Sequence, residues 1–295
     1  MITPRLGALV SRLRRFVPER RVESSLVWPG GLRIRGLHPV KSARDGNIVN
    51  KGGRVVLRGE LEGTPIKLYE AWSAEHASFI AALPTHPDVG PLFPAIRARH
   101  GRCVVASWVE GEPGGDSLAL EELVELQHRL HATRAATLPV RGYDFWADFL
   151  RPRFVRAGEM LGANIDDILA LVDAEMTLPV ADRVLVHPDL RPVNLIRHAS
   201  HGWMIIDNES VTTSTFPLLD VVHTAHGLRG RGSAYWRAYC SRAGMPSPRQ
   251  RTALQAAWLA RIAGSSFVAG MLERASEVLR RYRAGANILP FELTA

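Results

Sequence analysis

The chain has 295 residues, 46% of them hydrophobic, enough for the core of one large domain or of two lobes. No apolar run of about 18 residues and no apolar leader with a small-residue cleavage site occurs, which argues against a membrane span or secretion. Its two cysteines, Cys103 and Cys240, lie too far apart in sequence to suggest a disulfide framework or a zinc site, so a reducing cytoplasm is the expected compartment. The net charge of +8 is uneven: residues 1–41 hold nine Lys or Arg against Glu19 and Glu23, leaving 28 basic and 27 acidic residues after them. The body is therefore neutral and no nucleic-acid partner is expected.

Residues 2–17 place Leu6, Leu9, Val10, Leu13, Phe16 and Val17 at near-helical spacing, with Arg5, Arg12, Arg14 and Arg15 between them. Two readings of this basic amphipathic helix stay open. Its apolar stripe packs on the body, or residues 1–21 rest on an anionic membrane surface at its inner face. The alternation in LRIRGL over residues 32–37 predicts a strand, followed by a polar connection through Lys41 and Gly46. Residues 55–61 and 64–69 read as two strands joined by a hairpin turn at Glu62-Gly63. Lys67 sits mid-strand in a chain that uses arginine 34 times and lysine three times. Alone it reads as a residue snorkelling from an apolar strand, although its compact charge also suits a phosphate. Gly52-Gly53, just upstream, fits a phosphate-covering loop or a plain turn.

Ser73–Leu83 predicts a short helix with Ser73 as N-cap and Glu75 in the first turn, where a carboxylate complements the helix dipole. Residues 102–111 read as a buried strand that stops at Gly111, and Pro113, Gly114 and Gly115 make a connection between lobes. Helices are expected over residues 118–133, 143–156, 166–178 and in the region from Gly232 to the end, the second of them broken at Pro152. His131 reads as a buried, satisfied histidine.

The chemistry concentrates in Arg183–Glu209, RVLVHPDLRPVNLIRHASHGWMIIDNE. Val184-Leu185-Val186 is a short buried strand that delivers His187, Pro188 and Asp189 into a turn stiffened by Pro188 and Pro192. From Asn194 a second strand runs through Leu195 and Ile196, turns at His201-Gly202 and returns to Asp207. Transfer of a γ-phosphoryl group needs positioning and charge neutralisation: a carboxylate to orient the attacking hydroxyl, and oxygen donors for a hard cation. Asp189 suits the first task, Asn194 and Asp207 suit the second, and Arg191 is within reach of the transferring phosphate.

HPDLRPVN resembles the HRDLKPEN loop of protein kinases. With IIDNE following, it is more similar to the HGDLHPGN and IDxE pattern of the aminoglycoside phosphotransferase and choline kinase family. The resemblance implies an α+β, two-lobed protein-kinase-like fold, with a sheet-rich N-lobe over 41–111 and a mainly helical C-lobe over 112–295 behind a basic extension of 1–40. It implies ATP and Mg²⁺ as cofactors, Asp189 and Arg191 as catalytic residues and Asn194 and Asp207 as metal ligands. By the same resemblance Lys67 holds the nucleotide phosphates, Glu75 pairs with that lysine, Gly52-Gly53 covers the phosphates and Trp108, Val109 and Glu110 neighbour the adenine. Asp220 in PLLDVVH resembles the family's aspartate that braces the catalytic loop, where a helix N-cap is the other reading.

Pro188 and Asn208 depart from the pattern and bear on pocket shape. The expected function is phosphorylation of a small-molecule hydroxyl, a sugar or lipid-linked glycan among the acceptors, since a neutral body does not advertise an acidic site for polycationic aminoglycosides. A protein serine/threonine kinase is the alternative, opposed by the absence of an Ala-Pro-Glu segment after Asp207. A kinase-like binding module is opposed by the joint presence of Lys67, Asp189, Asn194 and Asp207.

Overall fold

The computed structural model describes residues 25–40, 50–51, 54–115, 118–138, 142–175, 182–228 and 230–291. The residues for which a basic N-terminal helix and a membrane contact were expected, and the Gly52-Gly53 pair expected to cover phosphates, lie outside the described residues. The chain divides into two compact units. The first comprises the residues up to Gly111 together with His198–Glu209, and the second comprises Glu112–Arg197 and the residues from Ser210 onward.

The first unit is built on a six-stranded antiparallel sheet. Its strands are β1 (Leu26–Val27), β2 (Arg33–Pro39), β5 (Leu57–Leu61), β6 (Thr64–Glu70), β7 (Ile96–His100) and β8 (Cys103–Ser107), in the spatial order β1-β2-β5-β6-β8-β7. A separate pair, β3 (Asn50–Lys51) and β4 (Arg54–Val55), precedes β5. Between β5 and β6 the loop is only Glu62 and Gly63, at φ 53° and 78°. A two-residue hairpin loop needs this left-handed backbone, which glycine adopts without steric cost. Alternation then decides the faces: Leu57, Leu61, Ile66 and Leu68 join Ile34, Leu37, Trp28 and Val105 in the core, and Lys67 points from the other side of the sheet. Helix α1 (Ala74–Ala82) starts where expected, with Ser73 Oγ accepting from His76 N at 3.0 Å, and buries Ala77, Phe79 and Ile80. β8 is shorter than the sequence suggested. It ends at Ser107, after which Trp108 N donates to the Pro65 carbonyl.

In the second unit, β9 (Glu112–Pro113) pairs antiparallel with β11 (Leu195–His198), and β10 (Val184–Val186) pairs with β13 (Thr212–Ser214). The helices are α2 (Leu120–Ala132), α3 (Arg151–Leu161), α4 (Asp166–Glu175), α5 (Pro217–Gly227), α6 (Gly232–Ala243), α7 (Pro248–Val268) and α8 (Leu272–Arg283). α7 is the axis of the bundle, packing on α3, α4, α5 and α8. Its start is fixed by a capping box between Ser247 and Gln250. Trp146, Trp236 and Phe154 are among the bulkiest residues of this core. Pro152 does not break a helix as expected. It lies in the first turn of α3, where its missing N–H costs nothing, and the preceding Phe145–Leu150 forms a π-helical turn capped by Asp144. Among the described residues no helix is long and apolar enough to cross a membrane.

Candidate active site

β10 ends at Val186 and releases the loop HPDLRPVN. His187, fully buried, anchors it: Asp189 N donates to His187 Nδ1 at 3.2 Å, and Leu190 N returns to the His187 carbonyl at 2.9 Å. Asp220 on α5 clamps the strand end from below. Its Oδ2 accepts from His187 N at 3.0 Å, Gln127 Nε2 at 2.5 Å and His131 Nε2 at 3.1 Å, so it braces the loop through a backbone amide and does not cap a helix. His131 is satisfied on its other nitrogen by Tyr239 Oη at 2.7 Å. Gln127, which nothing in the sequence singles out, carries the network on through Tyr235 Oη and Thr224 Oγ1, both donating to its Oε1.

Asp189 itself keeps 37% of its side chain accessible and is held on both oxygens. Asn194 Nδ2 donates to Asp189 Oδ2 at 3.0 Å and to its carbonyl at 2.8 Å, while Arg191 Nε lies 2.5 Å from Oδ1. The 3₁₀ turn Pro192–Asn194 sets this geometry, since Asn194 N bonds back to the Arg191 carbonyl at 2.9 Å. With both amide hydrogens committed to Asp189, Asn194 has its Oδ1 left as a ligand for a hard cation.

The first unit carries the other set. Lys67 Nζ donates to the Ile206 carbonyl at 2.7 Å and to Glu209 Oε2 at 3.1 Å. β12 (Gly202–Ile205) leads directly into this stretch, so the lysine is tied to the backbone one residue before Asp207, which is 4% exposed. Trp72 Nε1 adds a hydrogen bond to the Glu209 carbonyl at 3.2 Å. Burial and the nearby carboxylates of Glu209 and Asp207 hold the Tyr69 hydroxyl neutral, its pKa pushed well up, under the lysine at 4.7 Å from the ring centroid.

The lysine's carboxylate partner here is Glu209, and among the described residues no ion pair joins Lys67 to Glu75. Glu75 is exposed, and its own backbone amide and the Ser73 hydroxyl lower its pKa, as a first-turn carboxylate does when it caps its helix. Glu209 had a signal in the sequence, two residues after Asp207 in IIDNE. Trp108, Val109 and Glu110 follow β8 with the first two half-buried, and Arg58 stacks its guanidinium 4.5 Å over the Trp108 ring.

The first unit pairs a strand lysine with a glutamate beside Asp207, the second presents Asp189 and Asn194 on one braced loop, and the fold is that of a two-lobed kinase-like enzyme. Such an enzyme moves phosphate from ATP to an alcohol group of a small molecule. More narrowly, the chain belongs to the phosphotransferase enzyme family (APH), whose family model matches residues 69–267. Among solved structures it is similar to a thermostable mutant of aminoglycoside phosphotransferase APH(4)-Ia in apo form, at TM-score 0.54 and 16% identity, covering 85% of this chain and 94% of that one. A further variant of that thermostable protein, in a ternary complex with ADP and hygromycin B, aligns at TM-score 0.52 and 12% identity over 85% and 93% of the two chains. Choline kinase from Cryptosporidium parvum Iowa II aligns at TM-score 0.54 and 11% identity over 95% and 96%. At these identities the likeness is one of fold. No curated protein matches the sequence.

Proposed function

We propose that this enzyme uses Mg²⁺ and ATP to phosphorylate a hydroxyl of a sugar or a lipid-linked glycan, with Asp189 as the base that orients the hydroxyl. The observation that carries this reading is the state of Asp189: partly accessible, fixed through Asn194 and Arg191, on a loop braced by a buried aspartate. A base held this way meets the positioning requirement of phosphoryl transfer. Nucleotide use is supported by the family and by the ADP complex of the APH(4)-Ia relative.

Lys67 is proposed to hold the nucleotide phosphates, and the backbone of Trp108–Glu110 to meet the adenine. Asn194 Oδ1 and the Asp207 carboxylate are the donors suited to Mg²⁺, which when bound neutralises charge on the transferring phosphate. One amide and one carboxylate fit that ion, which keeps waters and phosphate oxygens in its shell. Among the described residues no group of three His, Cys, Asp or Glu forms a closed metal cage. Arg191, whose Nε lies 2.5 Å from Asp189 Oδ1, is proposed to follow negative charge onto the transferring phosphate. The test is Asp189→Asn: turnover falls about a hundredfold or more while nucleotide affinity stays within a few-fold, and undiminished turnover removes Asp189 from the reaction.

A further inference from the structure

The helical unit presents a set of arginines beside the Asp189 loop that the phosphoryl-transfer parts do not account for. Arg191 lies along the end of α5, its stem so close to Gly227 that a β-carbon there would come within 3.1 Å of Cγ and Cδ. Arg261, mid-way along α7, donates through Nη1 to Ser265 Oγ one turn on. Arg153, in the first turn of α3, packs against Gly264 of α7, where a β-carbon would stand 3.1 Å from its Cβ, and holds its guanidinium 3.6 Å over the Phe149 ring. Between them and the loop, His223 hydrogen-bonds the Pro188 backbone and packs edge-on against Phe145 at 5.4 Å and Trp258 at 5.1 Å. His226 meets the same indole edge-on, with ring centroids 5.2 Å apart.

Several other arginines of this unit meet carboxylates, Arg183 with Asp144, Arg151 with Asp173, Arg249 with Glu175 and Arg242 with Glu125, and Arg251 and Arg283 donate to backbone carbonyls. Among the described residues Arg153 and Arg261, both half-buried, have no carboxylate within ion-pair distance. Among the same residues Asp189 is the acid whose charge acts on Arg261, and it is already taken by Arg191. Leaving half-buried guanidiniums without a counter-ion is costly unless an anion completes them, and the planar fork of arginine fits phosphate and carboxylate oxygens.

We propose that the acceptor is itself an anion, a hydroxyl compound that also carries a phosphate or carboxylate, bound by Arg153 and Arg261 next to the Asp189–Arg191 pair. The inference rests on the phosphotransferase reading and adds the substrate class. It excludes amine-rich acceptors, which these arginines repel.

The experiment compares matched sets on the full chain: glucose, glucose 6-phosphate, glucuronate and glucosamine, then glycerol, glycerol 3-phosphate and glycerate. ADP release is the first readout. The second is the rise in melting temperature caused by each compound with ADP and Mg²⁺ saturating, so that the nucleotide site is filled. The anionic members should exceed their neutral parents by about tenfold or more in kcat/KM, with phosphate set against carboxylate deciding the source of the charge. Arg261→Gln and Arg153→Gln should each reduce that ratio about tenfold, and Arg261→Lys should restore part of it.

Faster turnover of glucose or glucosamine than of the anions overturns the proposal and leaves the phosphotransferase reading intact. So does an unchanged ratio in both glutamine variants at wild-type melting temperature. If no compound turns over, a melting rise confined to the anions and lost in Arg261→Gln supports the site, and its absence refutes it. Failure of ATP with Mg²⁺ to raise the melting temperature at all sinks the phosphotransferase reading instead.

Discussion

Replacing Glu209 by glutamine discriminates most sharply between the pairing seen in the structure and the pairing expected from the strand lysine's family role. The Lys67 ammonium and the Glu209 carboxylate are 3.1 Å apart, with side chains 15% and 3% exposed. At that separation their attraction is about 5 kcal/mol for an effective dielectric near 20, before desolvation is subtracted. Removing one member of a buried pair strands the other, which costs about 3–5 kcal/mol. The Ile206 carbonyl at 2.7 Å remains to Lys67, so the lower end applies. About 3 kcal/mol corresponds to a melting-temperature drop of roughly 5 °C for a chain of 295 residues. A lysine no longer steered towards the residues beside Asp207 should also raise KM for ATP about tenfold. Glu75→Gln, on an exposed first-turn residue, should leave both quantities unchanged. Scanning calorimetry and steady-state kinetics on the two variants settle the matter. If Glu75→Gln raises KM for ATP more than Glu209→Gln does, the pairing described above is not the one the enzyme uses.

Asp207→Ala should abolish the Mg²⁺ dependence of nucleotide affinity, measured by calorimetric titration with and without the ion, because it removes the carboxylate proposed as metal donor. Asp220→Asn exchanges an acceptor for a donor facing His187 N, Gln127 and His131, and should lower the melting temperature by about 6 °C or more and reduce kcat; near-wild-type values for both would refute the brace. Burial first and the Arg261 charge second push the pKa of His223 well below the ordinary 6.5. Below that value the unfolded chain takes up a proton that the folded chain refuses, so stability should decline as the pH drops by up to about 1.4 kcal/mol per unit, and His223→Gln should flatten the slope of melting temperature against pH.

Much of this architecture is legible locally. The Glu62-Gly63 loop, the Ser73 cap and the alternation of Leu57, Leu61, Ile66 and Leu68 are short-range signals, and each element formed where its signal lies. Asp189 and Asn194 were readable because one short loop brings them together, and Asp220 because the family pattern carries it. Pro152 misled because one proline permits two outcomes, and only the π turn ahead of it decides that it opens a helix. Long-range partners could not be read at all. Glu209 lies 142 residues from Lys67, and Gln127 lies 93 from Asp220. The arginines of α3 and α7 look in sequence like solvated faces, and only packing brings Arg153 and Arg261 to neighbouring turns.

The first unit is not contiguous in the chain, since it closes only when His198–Glu209 returns to the sheet-bearing segment. Lys67 therefore emerges from the ribosome long before the Ile206 carbonyl and the Glu209 carboxylate that hold it. From Glu112 through Glu209 the ribosome adds 98 residues, which at about 5–20 residues per second means roughly 5–20 s of synthesis. During that interval the nascent sheet must wait with its lysine unmatched, and a polypeptide released at Gly111 would never complete it. Slow-codon placement or chaperone capture over residues 112–209 should therefore influence yield more than the same intervention nearer the end of the chain.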